Sequence, residues 1–267
     1  MEILSKFSNE HGITFPLLSD VGSATIKAYG ILATIGEEAL EKGLDDPVLA
    51  DDVRLHITGG ALNNRYLGLP YPGTFIIDRQ GRVTSRFFED FFRERNTVSN
   101  ILLTLGAGEA TVRGSQISTD HLAIKTYPSD AGVALGNRFS LVLEITPRPR
   151  MHVYAPGAAN YRVIALTIAP SPFVRVSPIR FPPSEIYFFK PLNERVPVYQ
   201  KPFTLVQEIV PEVTAEAEAA FRGKDSLTLM GTLEYQACDD KLCYNPVAVP
   251  LSWTVALRPF ERSGRQQ

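Results

Sequence analysis

Residues 235–253 read YQACDDKLCYNPVAVPLSW and contain both cysteines of the chain, Cys238 and Cys243. The segments 227–235 and 247–257 alternate in polarity or run apolar, as β-strands do. The cysteines are therefore predicted to bound a tight loop between two strands. Such a turn can bring their Cα atoms within the range of about 4.4–6.8 Å that a disulfide requires.

Further strand-like segments precede this loop at 139–146, 161–168 and 203–210, with turn residues between them. Their spacing is typical of a β-sandwich. Proline is frequent in the same region, and it disfavours a long helix because it lacks the backbone N–H. We predict an all-β domain over residues 116–257.

The first 105 residues combine helical and strand patterns. Apolar positions at helical spacing near residues 3–7 end at Gly12, and a similar pattern returns at 98–105. Residues 74–78 (TFIID) are typical of a buried strand, followed by a turn and a returning strand at 83–88. We predict an α/β domain over residues 1–105, a linker over 106–115 and a flexible tail over 258–267.

Three segments of this first domain carry a family resemblance: 11–31 (HGITFPLLSDVGSATIKAYGI), 71–83 (YPGTFIIDRQGRV) and 95–106 (RNTVSNILLTLG). The domain resembles the carboxyl-terminal two-thirds of a redoxin of the AhpC/TSA peroxiredoxin type. The resemblance implies a thioredoxin fold, with Pro72 where this fold keeps a cis-proline beside its redox centre. A trans turn proline is the alternative at this position.

The matched region lacks the family's catalytic cysteine, which lies on an upstream β-α-β unit. Residues 1–105 contain no cysteine, and thiol chemistry needs a thiolate nucleophile. We therefore expect an incomplete thioredoxin-like domain that is not a peroxidase. A missing central unit would leave a sheet edge exposed, so we expect a shortened reading or a fragment of a longer gene. A strand supplied by a partner is the alternative.

The second domain resembles the immunoglobulin-like amino-terminal domain of the DsbD thiol-disulfide interchange reductases. The resemblance rests on residues 235–246 (YQACDDKLCYNP) with the strand that follows, and more loosely on 151–157 and 198–203. The family most often has one more residue between its cysteines. The resemblance implies that Cys238 and Cys243 are the catalytic pair, which exchanges electrons with a thioredoxin-fold protein or domain through a transient mixed disulfide. It does not indicate which cysteine is attacked first.

The same family shields its sulfur atoms with aromatic and acidic groups. The supporting candidates in this chain are Tyr154, Phe188, Phe189, Tyr199, Tyr244 and, for proton transfer, Glu194. Ordinary packing in the sandwich is the alternative for the aromatic side chains, except for Tyr244, which is fixed beside Cys243. The alternative for Glu194 is a solvated side chain in a polar run.

The loop sequence itself favours redox chemistry over cross-linking. A disulfide that closes a short loop stabilises a fold little, because the entropic benefit grows with loop length. A small, strained ring is also easier to reduce. Asp239 and Asp240 disfavour a thiolate at Cys238, whereas Lys241 favours one. No histidine is adjacent in sequence, so we expect a pair that reacts mainly when a partner thiolate attacks its disulfide.

Two functions from different classes follow from these features. The first is a thiol-disulfide oxidoreductase module that relays electrons through the cysteine pair. The alternative is a non-catalytic immunoglobulin-like binding or scaffold protein, with a structural disulfide and a vestigial redoxin half. The sequence indicates neither the electron donor nor the acceptor.

Composition and motifs argue against several other classes. The formal net charge of −2 gives no electrostatic footprint for nucleic acid, and no apolar run reaches the roughly 18 residues of a membrane span. The two cysteines and the four histidines (His11, His56, His121 and His152) lack metal-ligand spacing, and no nucleotide motif occurs. We therefore expect no metal and no cofactor.

The compartment is not fixed by the sequence. The first residues, MEILSKFSNEHG, contain charged side chains where a secretory signal would be apolar. The resemblance to DsbD nevertheless suggests a periplasmic or other extracytoplasmic setting.

Overall fold

The computed structural model describes residues 2–34, 57–58, 61–62, 68, 70–71, 73–88, 94–107, 112, 114–189 and 193–258. The chain forms two compact units, Met1–Phe92 and Arg93–Gln267. The sequence pattern places a helix near residues 98–105 at the end of the first domain, whereas the structure includes that helix in the second unit.

The first unit contains short helices and antiparallel strand pairs. Its described elements are α1 (Glu2–Glu10), a 3₁₀ turn (Val21–Ser23), α2 (Ala24–Ala28), β1 (Ile57–Thr58), β2 (Ala61–Leu62), β3 (Gly73–Ile77) and β4 (Val83–Phe88). The Asp20 carboxylate accepts hydrogen bonds from the backbone N–H groups of Thr25 and Ile26, at 2.9 and 2.8 Å, and so fixes the first turn of α2. Among the side chains described in this unit, no apolar one is buried.

The β3–β4 hairpin has the strand, turn and returning strand predicted from the sequence, but no side chain of β3 is buried, so the prediction of a buried strand is wrong. The two strands pair antiparallel. Asp78 Oδ1 accepts hydrogen bonds from the N–H groups of Gln80 and Arg82, both at 2.9 Å, and thereby holds the turn. Gly81 adopts a φ of 78°, which glycine reaches without a steric penalty. Pro72 lies outside the described residues, so its cis peptide stays a prediction.

The second unit is a β-sandwich with two helices. Its strands are β5 (Arg95–Asn96), β6 (Ser115–Ser118), β7 (Leu122–Pro128), β8 (Gly132–Val133), β9 (Asn137–Pro147), β10 (His152–Tyr154), β11 (Ala165–Ile168), β12 (Val174–Val176), β13 (Glu185–Phe189), β14 (Glu194–Tyr199), β15 (Phe203–Pro211), β16 (Ser226–Tyr235), β17 (Ala237–Cys238) and β18 (Val247–Leu257). Its helices are α3 (Val98–Thr104) and α4 (Ala215–Phe221).

Two sheets enclose the main core. One has the strand order β12-β15-β9-β7-β6, with β5 pairing parallel to β9, and the other has the order β11-β16-β18-β8. Every second side chain of β18 is buried, and β16 shows the same period of two that the sequence predicts. Buried side chains from both sheets form one cluster, and Trp253 Nε1 donates a hydrogen bond to Thr126 Oγ1 across it at 2.8 Å.

Helix α3 docks on the sandwich through buried polar groups. The Thr97 side chain caps the helix by accepting a hydrogen bond from the N–H of Asn100 at 3.1 Å. Asn100 is only 1% exposed. Its side chain accepts a hydrogen bond from Ser140 Oγ at 2.5 Å and donates one to Asn96 at 2.7 Å. These contacts make the helix part of the second unit.

A third sheet, with the order β13-β14-β10-β17, positions the cysteine loop. In its central strand β10, His152 pairs with Cys238 and Tyr154 pairs with Val198. Because side chains two positions apart, and those directly opposite, share a face of a sheet, these four side chains lie on the same face. No described helix of the chain combines the length and the apolar character that a bilayer span needs.

Candidate functional site

Cys238 and Cys243 lie opposite each other and form a disulfide, with their Cα atoms 4.1 Å apart, slightly closer than the range expected from the sequence. The backbone around them is paired on both sides of the bond. The N–H of Asp239 donates to the carbonyl of Leu242, and the N–H of Tyr244 donates to the carbonyl of Ala237, each at 2.9 Å. The cysteines therefore occupy a narrow, non-hydrogen-bonded position of an antiparallel ladder, where Cα atoms approach most closely.

Asp239 fixes the conformation of the loop between the cysteines. Its Oδ1 accepts hydrogen bonds from the N–H groups of Lys241 and Leu242, both at 2.7 Å. Its Oδ2 accepts the hydroxyl proton of Tyr244 at 3.0 Å. The two backbone donors, followed by Tyr244, hold the pKa of Asp239 below its ordinary value. The loop therefore carries a negative charge beside the disulfide at neutral pH.

The Tyr154 hydroxyl contacts both sulfur atoms. It lies 3.0 Å from Cys238 Sγ and 3.3 Å from Cys243 Sγ, and the Tyr154 side chain is only 3% exposed. Burial raises the pKa of this hydroxyl, and Tyr161 and Glu194 raise it further. Tyr154 therefore keeps its proton at physiological pH and is available to donate a hydrogen bond to sulfur.

A second tyrosine connects this hydroxyl to an acidic side chain. The Tyr161 ring stacks on the Tyr154 ring, with centroids 4.0 Å apart. The Tyr161 hydroxyl donates to Glu194 Oε2 at 2.5 Å, and this hydrogen bond is the main reason that the pKa of Tyr161 is raised. The structure therefore brings Glu194, a candidate from the sequence, to the site indirectly. Tyr161 was not among the candidates, because its side chain meets Tyr154 only after the chain has folded.

The two cysteine residues differ in exposure. Cys238 is 1% exposed and packs in a small cluster with Tyr154, Val196 and Val198. Cys243 is exposed. Cys243 is therefore open to solvent, whereas Cys238 is covered by its neighbours. The sequence alone does not make this distinction.

His152 is a site residue that the linear sequence does not reveal. It is 3% exposed and lies directly opposite Cys238 in the register of β10 and β17. Its ring lies 4.5 Å from that of Tyr187 and 5.7 Å from that of Tyr154. Burial lowers the pKa of His152, although Asp240 and Asp239 act in the opposite direction. The one signal in the sequence is that His152 lies two residues before Tyr154 in a strand, because side chains two positions apart share a face of the sheet.

Tyr187 covers His152 and reaches the cysteine loop. Its hydroxyl donates to Asp240 Oδ1 at 3.3 Å. Burial is the main cause that raises the pKa of Tyr187, and Asp240 adds to it. In the aromatic run of β13, Tyr187 is thus the residue that faces the loop, and it joins the loop to the edge strand of the third sheet.

Other predicted lid residues occupy different places. Tyr199 pairs with Val153, on the opposite face from Tyr154, where both belong to the main core. Its hydroxyl donates to the carbonyl of Pro182 at 2.8 Å. Tyr199 is therefore a core residue and not part of the lid.

The remaining aromatic candidates lie along β13 and beside the loop. Phe188 is 41% exposed, with the Arg195 guanidinium 5.3 Å from the centre of its ring. Phe189 pairs with Glu194 at the end of the strand. Tyr244 holds Asp239, as described above, and its ring lies 4.6 Å from that of His121. Of the three, Tyr244 contacts the cysteine loop.

No metal centre is evident among the residues that the structure describes. Within these ranges, no group of three or more His, Cys, Asp or Glu side chains is arranged to bind an ion. This arrangement supports chemistry at the two sulfur atoms. The hydroxyl of Tyr154 and the imidazole of His152 lie beside the buried Cys238.

The fold and the site together define a class of protein. It is a β-sandwich with a cysteine-bounded loop between paired strands. Residues 126–250 match the family model of the thiol:disulfide interchange protein DsbD, N-terminal, and residues 2–86 match that of the AhpC/TSA family. Both resemblances noted in the sequence are confirmed. The fold class is confirmed as well, with a small thioredoxin-like amino-terminal part followed by a DsbD-like β-sandwich.

Two solved structures are similar to the chain. The N-terminal periplasmic domain of ScsB from Proteus mirabilis is 13% identical, with 53% of this chain and 49% of that chain covered and a TM-score of 0.37. The DsbD N-terminal domain of Neisseria meningitidis in the reduced form is 16% identical, with 44% and 81% covered and a TM-score of 0.30. The match thus spans about half the length of the ScsB structure. No curated protein sequence matches the chain.

Proposed function

We propose that the second unit is a thiol-disulfide exchange module, which relays electrons through Cys238 and Cys243 to or from a thioredoxin-fold protein or domain. The observation that carries this proposal is the asymmetry of the disulfide. Cys243 is exposed to a partner, whereas Cys238 is buried against the Tyr154 hydroxyl at 3.0 Å. A bond that only stabilised the fold would need neither feature.

The exchange reaction follows from this asymmetry. A partner thiolate attacks Cys243 Sγ and forms a mixed disulfide, while the Cys238–Cys243 bond breaks and its electron pair leaves on Cys238 Sγ. Tyr154 donates a hydrogen bond to this developing thiolate, and hydrogen bonds to charged groups are the stronger ones. The partner's second thiolate then attacks the partner sulfur of the mixed disulfide. The partner leaves oxidised by two electrons, and both cysteines of this chain are reduced.

The family match supports an interchange role, and the small ring supports reversibility. The first unit does not supply the attacking thiol, because residues 1–105 contain no cysteine. The partner thiol therefore belongs to another polypeptide or to a further segment of the parent protein. The reaction runs in either direction, according to the relative reduction potentials of the two pairs.

A redox titration tests the proposal against the alternative of a scaffold with a structural disulfide. The full chain is equilibrated with dithiothreitol mixtures, and its free thiols are alkylated and counted by mass spectrometry. We expect the pair to be half reduced at a potential above about −300 mV, whereas structural disulfides stay oxidised to lower potentials. A pair that remains closed down to that value contradicts the proposal.

A trapping experiment tests the order of attack. The Cys238→Ala variant keeps the exposed Cys243, and the matched Cys243→Ala variant keeps the buried Cys238. Each is mixed with a purified thioredoxin-fold probe protein that retains one reactive cysteine, activated as a mixed disulfide. We expect the Cys238→Ala variant to capture the probe at least about tenfold faster. Capture by neither variant would exclude the relay, and faster capture by Cys243→Ala would reverse the order.

A further inference from the structure

His152 and Cys238 occupy directly opposed positions on neighbouring strands. Side chains in such pairs have Cβ atoms about 4.5–5.5 Å apart and lie on the same face of the sheet. We propose that His152 holds the proton of the reduced site, so that the opened disulfide is kept as an imidazolium–thiolate pair of His152 and Cys238. This inference rests on the proposed exchange function and assigns it a proton carrier.

The surroundings of His152 combine burial with acidic groups. Tyr154 on its own strand and Tyr187 on β13 pack against the ring. The charges of Asp240 and Asp239 in the cysteine loop act on it, and Cys238 lies opposite it on β17. In the oxidised protein the burial dominates and the pKa of His152 lies below its ordinary value. The imidazole is therefore neutral at pH 7 while the disulfide is closed.

Opening the disulfide changes this balance by one unit of charge. When the Cys243 sulfur joins the partner, Cys238 Sγ keeps the electron pair of the broken bond and becomes a thiolate beside the imidazole. The attacking partner thiol has given up its proton to become nucleophilic, and His152 takes up one proton in exchange. Charge and protons then balance, because the partner's S–H bond is replaced by an N–H bond on His152.

The cost of proton transfer and the attraction within the charged pair are of similar size. Moving a proton from an ordinary thiol to an ordinary imidazole is unfavourable by about 100-fold, because the two groups have unperturbed pKa values near 8.5 and 6.5, and the burial of both groups adds to this cost. The attraction between two unit charges about 5 Å apart, at an effective dielectric constant of 20, raises the equilibrium constant for forming the charged pair by roughly 300-fold. The Tyr154 hydroxyl, 3.0 Å from Cys238 Sγ, stabilises the thiolate further. Asp239 and Asp240 oppose the thiolate but favour the imidazolium, so their two effects offset each other.

Nuclear magnetic resonance of the full chain tests the proposal directly. The imidazole ¹⁵N resonances of His152 are assigned with the His152→Phe variant, which keeps an aromatic ring between Tyr154 and Tyr187. They are then followed against pH in the oxidised protein and after reduction with a phosphine. We expect His152 to be neutral at pH 7 when oxidised and protonated when reduced, with a proton affinity at least about tenfold higher. The same protonation state at pH 7 in both forms would overturn the proposal.

The thiolate gives a second readout. In the Cys243→Ala background, Cys238 is the single thiol, and its ionised fraction at pH 7 is measured by absorbance at 240 nm. We expect most of it to be ionised, His152→Phe to reduce this fraction at least about fivefold, and the matched control His121→Phe to leave it unchanged. The control removes a histidine whose ring packs against Tyr244. An unchanged thiolate fraction in His152→Phe would contradict the proposal.

These measurements use a chemical reductant and no partner protein. A pair that stays closed in the dithiothreitol titration would contradict the exchange function, while the phosphine-reduced protein would still report on His152. Conversely, a cysteine pair that is reducible without a change in His152 protonation would agree with the exchange function and contradict only the role of His152 as the proton carrier. The two failures are therefore distinguishable.

Discussion

The Tyr154 hydroxyl lies 3.0 Å from Cys238 Sγ, inside a cluster that excludes solvent from that sulfur. In the proposed exchange, this contact links the sandwich directly to the sulfur that leaves. It forms between residues 84 positions apart in the chain. Its loss is expected to affect the reaction more than the fold.

For Tyr154→Phe we expect the disulfide to be reduced more slowly by dithiothreitol. The leaving thiolate loses a hydrogen bond of about 1.5–3 kcal/mol, which corresponds to a rate lower by roughly tenfold or more. The rate is measured from thiol release under excess reductant. Tyr199→Phe is the matched control, because it removes a hydroxyl from the opposite face of the same sheet, and its rate should stay within about twofold. Equal rates for both variants would exclude a role for the Tyr154 hydroxyl.

The lowered pKa of His152 predicts how the stability of the oxidised protein depends on pH. Above a pH of about 6.5, the imidazole is neutral in the folded and the unfolded chain and has no effect. As the pH falls from there towards the lowered folded value, the unfolded chain binds more protons, and stability decreases by up to about 1.4 kcal/mol per pH unit.

The free energy of urea unfolding at pH 8 and pH 5 measures this effect. His152→Phe should lose part of the decrease in unfolding free energy between the two pH values. If the unfolding free energy of His152→Phe falls as steeply between pH 8 and pH 5 as that of the wild type, the pKa of His152 does not change on folding.

Glu94 provides a test of the buried charges in the second unit. It is 5% exposed, and Arg138 and Arg175 form ion pairs with it. Glu94→Ala removes one carboxylate from the partly buried Arg138, which also forms an ion pair with Glu208, so we expect a loss of about 3 kcal/mol in unfolding free energy. Lys125→Ala breaks the surface pair with Glu144 and should cost no more than about 1 kcal/mol. Urea unfolding of both variants makes the comparison, and equal losses would contradict it.

Asn100 tests whether α3 is part of the sandwich. Its side chain accepts a hydrogen bond from Ser140 Oγ at 2.5 Å, so Asn100→Ala leaves this buried hydroxyl without that partner. We expect a loss of about 1–3 kcal/mol in the unfolding free energy of the second unit. Val98→Ala on the same helix, where Val98 is 73% exposed, should change it by less than about 0.5 kcal/mol. Unfolding followed by Trp253 fluorescence separates the two outcomes.

Local patterns were sufficient to predict the elements that depend on neighbours in sequence. The alternation in β18 predicted a half-buried strand, and the spacing of Cys238 and Cys243 predicted a loop that their disulfide closes. The helix near residue 98 was also evident from its apolar periodicity. Each of these features depends on a few adjacent residues, which the sequence displays directly.

Features that depend on strand register were not predictable in this way. His152 lies opposite Cys238 only because β10 pairs with β17, and Tyr199 lies away from the cysteine loop because its register places it on the opposite face from Tyr154. The docking of α3 on the sandwich depends on Asn100, a polar residue that apolar periodicity does not identify. Register and docking partners are properties of the assembled fold, and a single sequence does not contain them locally.

The backbone hydrogen bonds that flank the two cysteines have a consequence for how the redox state is recognised. They join Asp239 to Leu242 and Tyr244 to Ala237, and neither involves a sulfur atom. These main-chain hydrogen bonds do not depend on the bond between the sulfur atoms. In the exchange proposed above, a partner would therefore distinguish the two redox forms by the side chains of Cys238 and Cys243 and by the charge beside them.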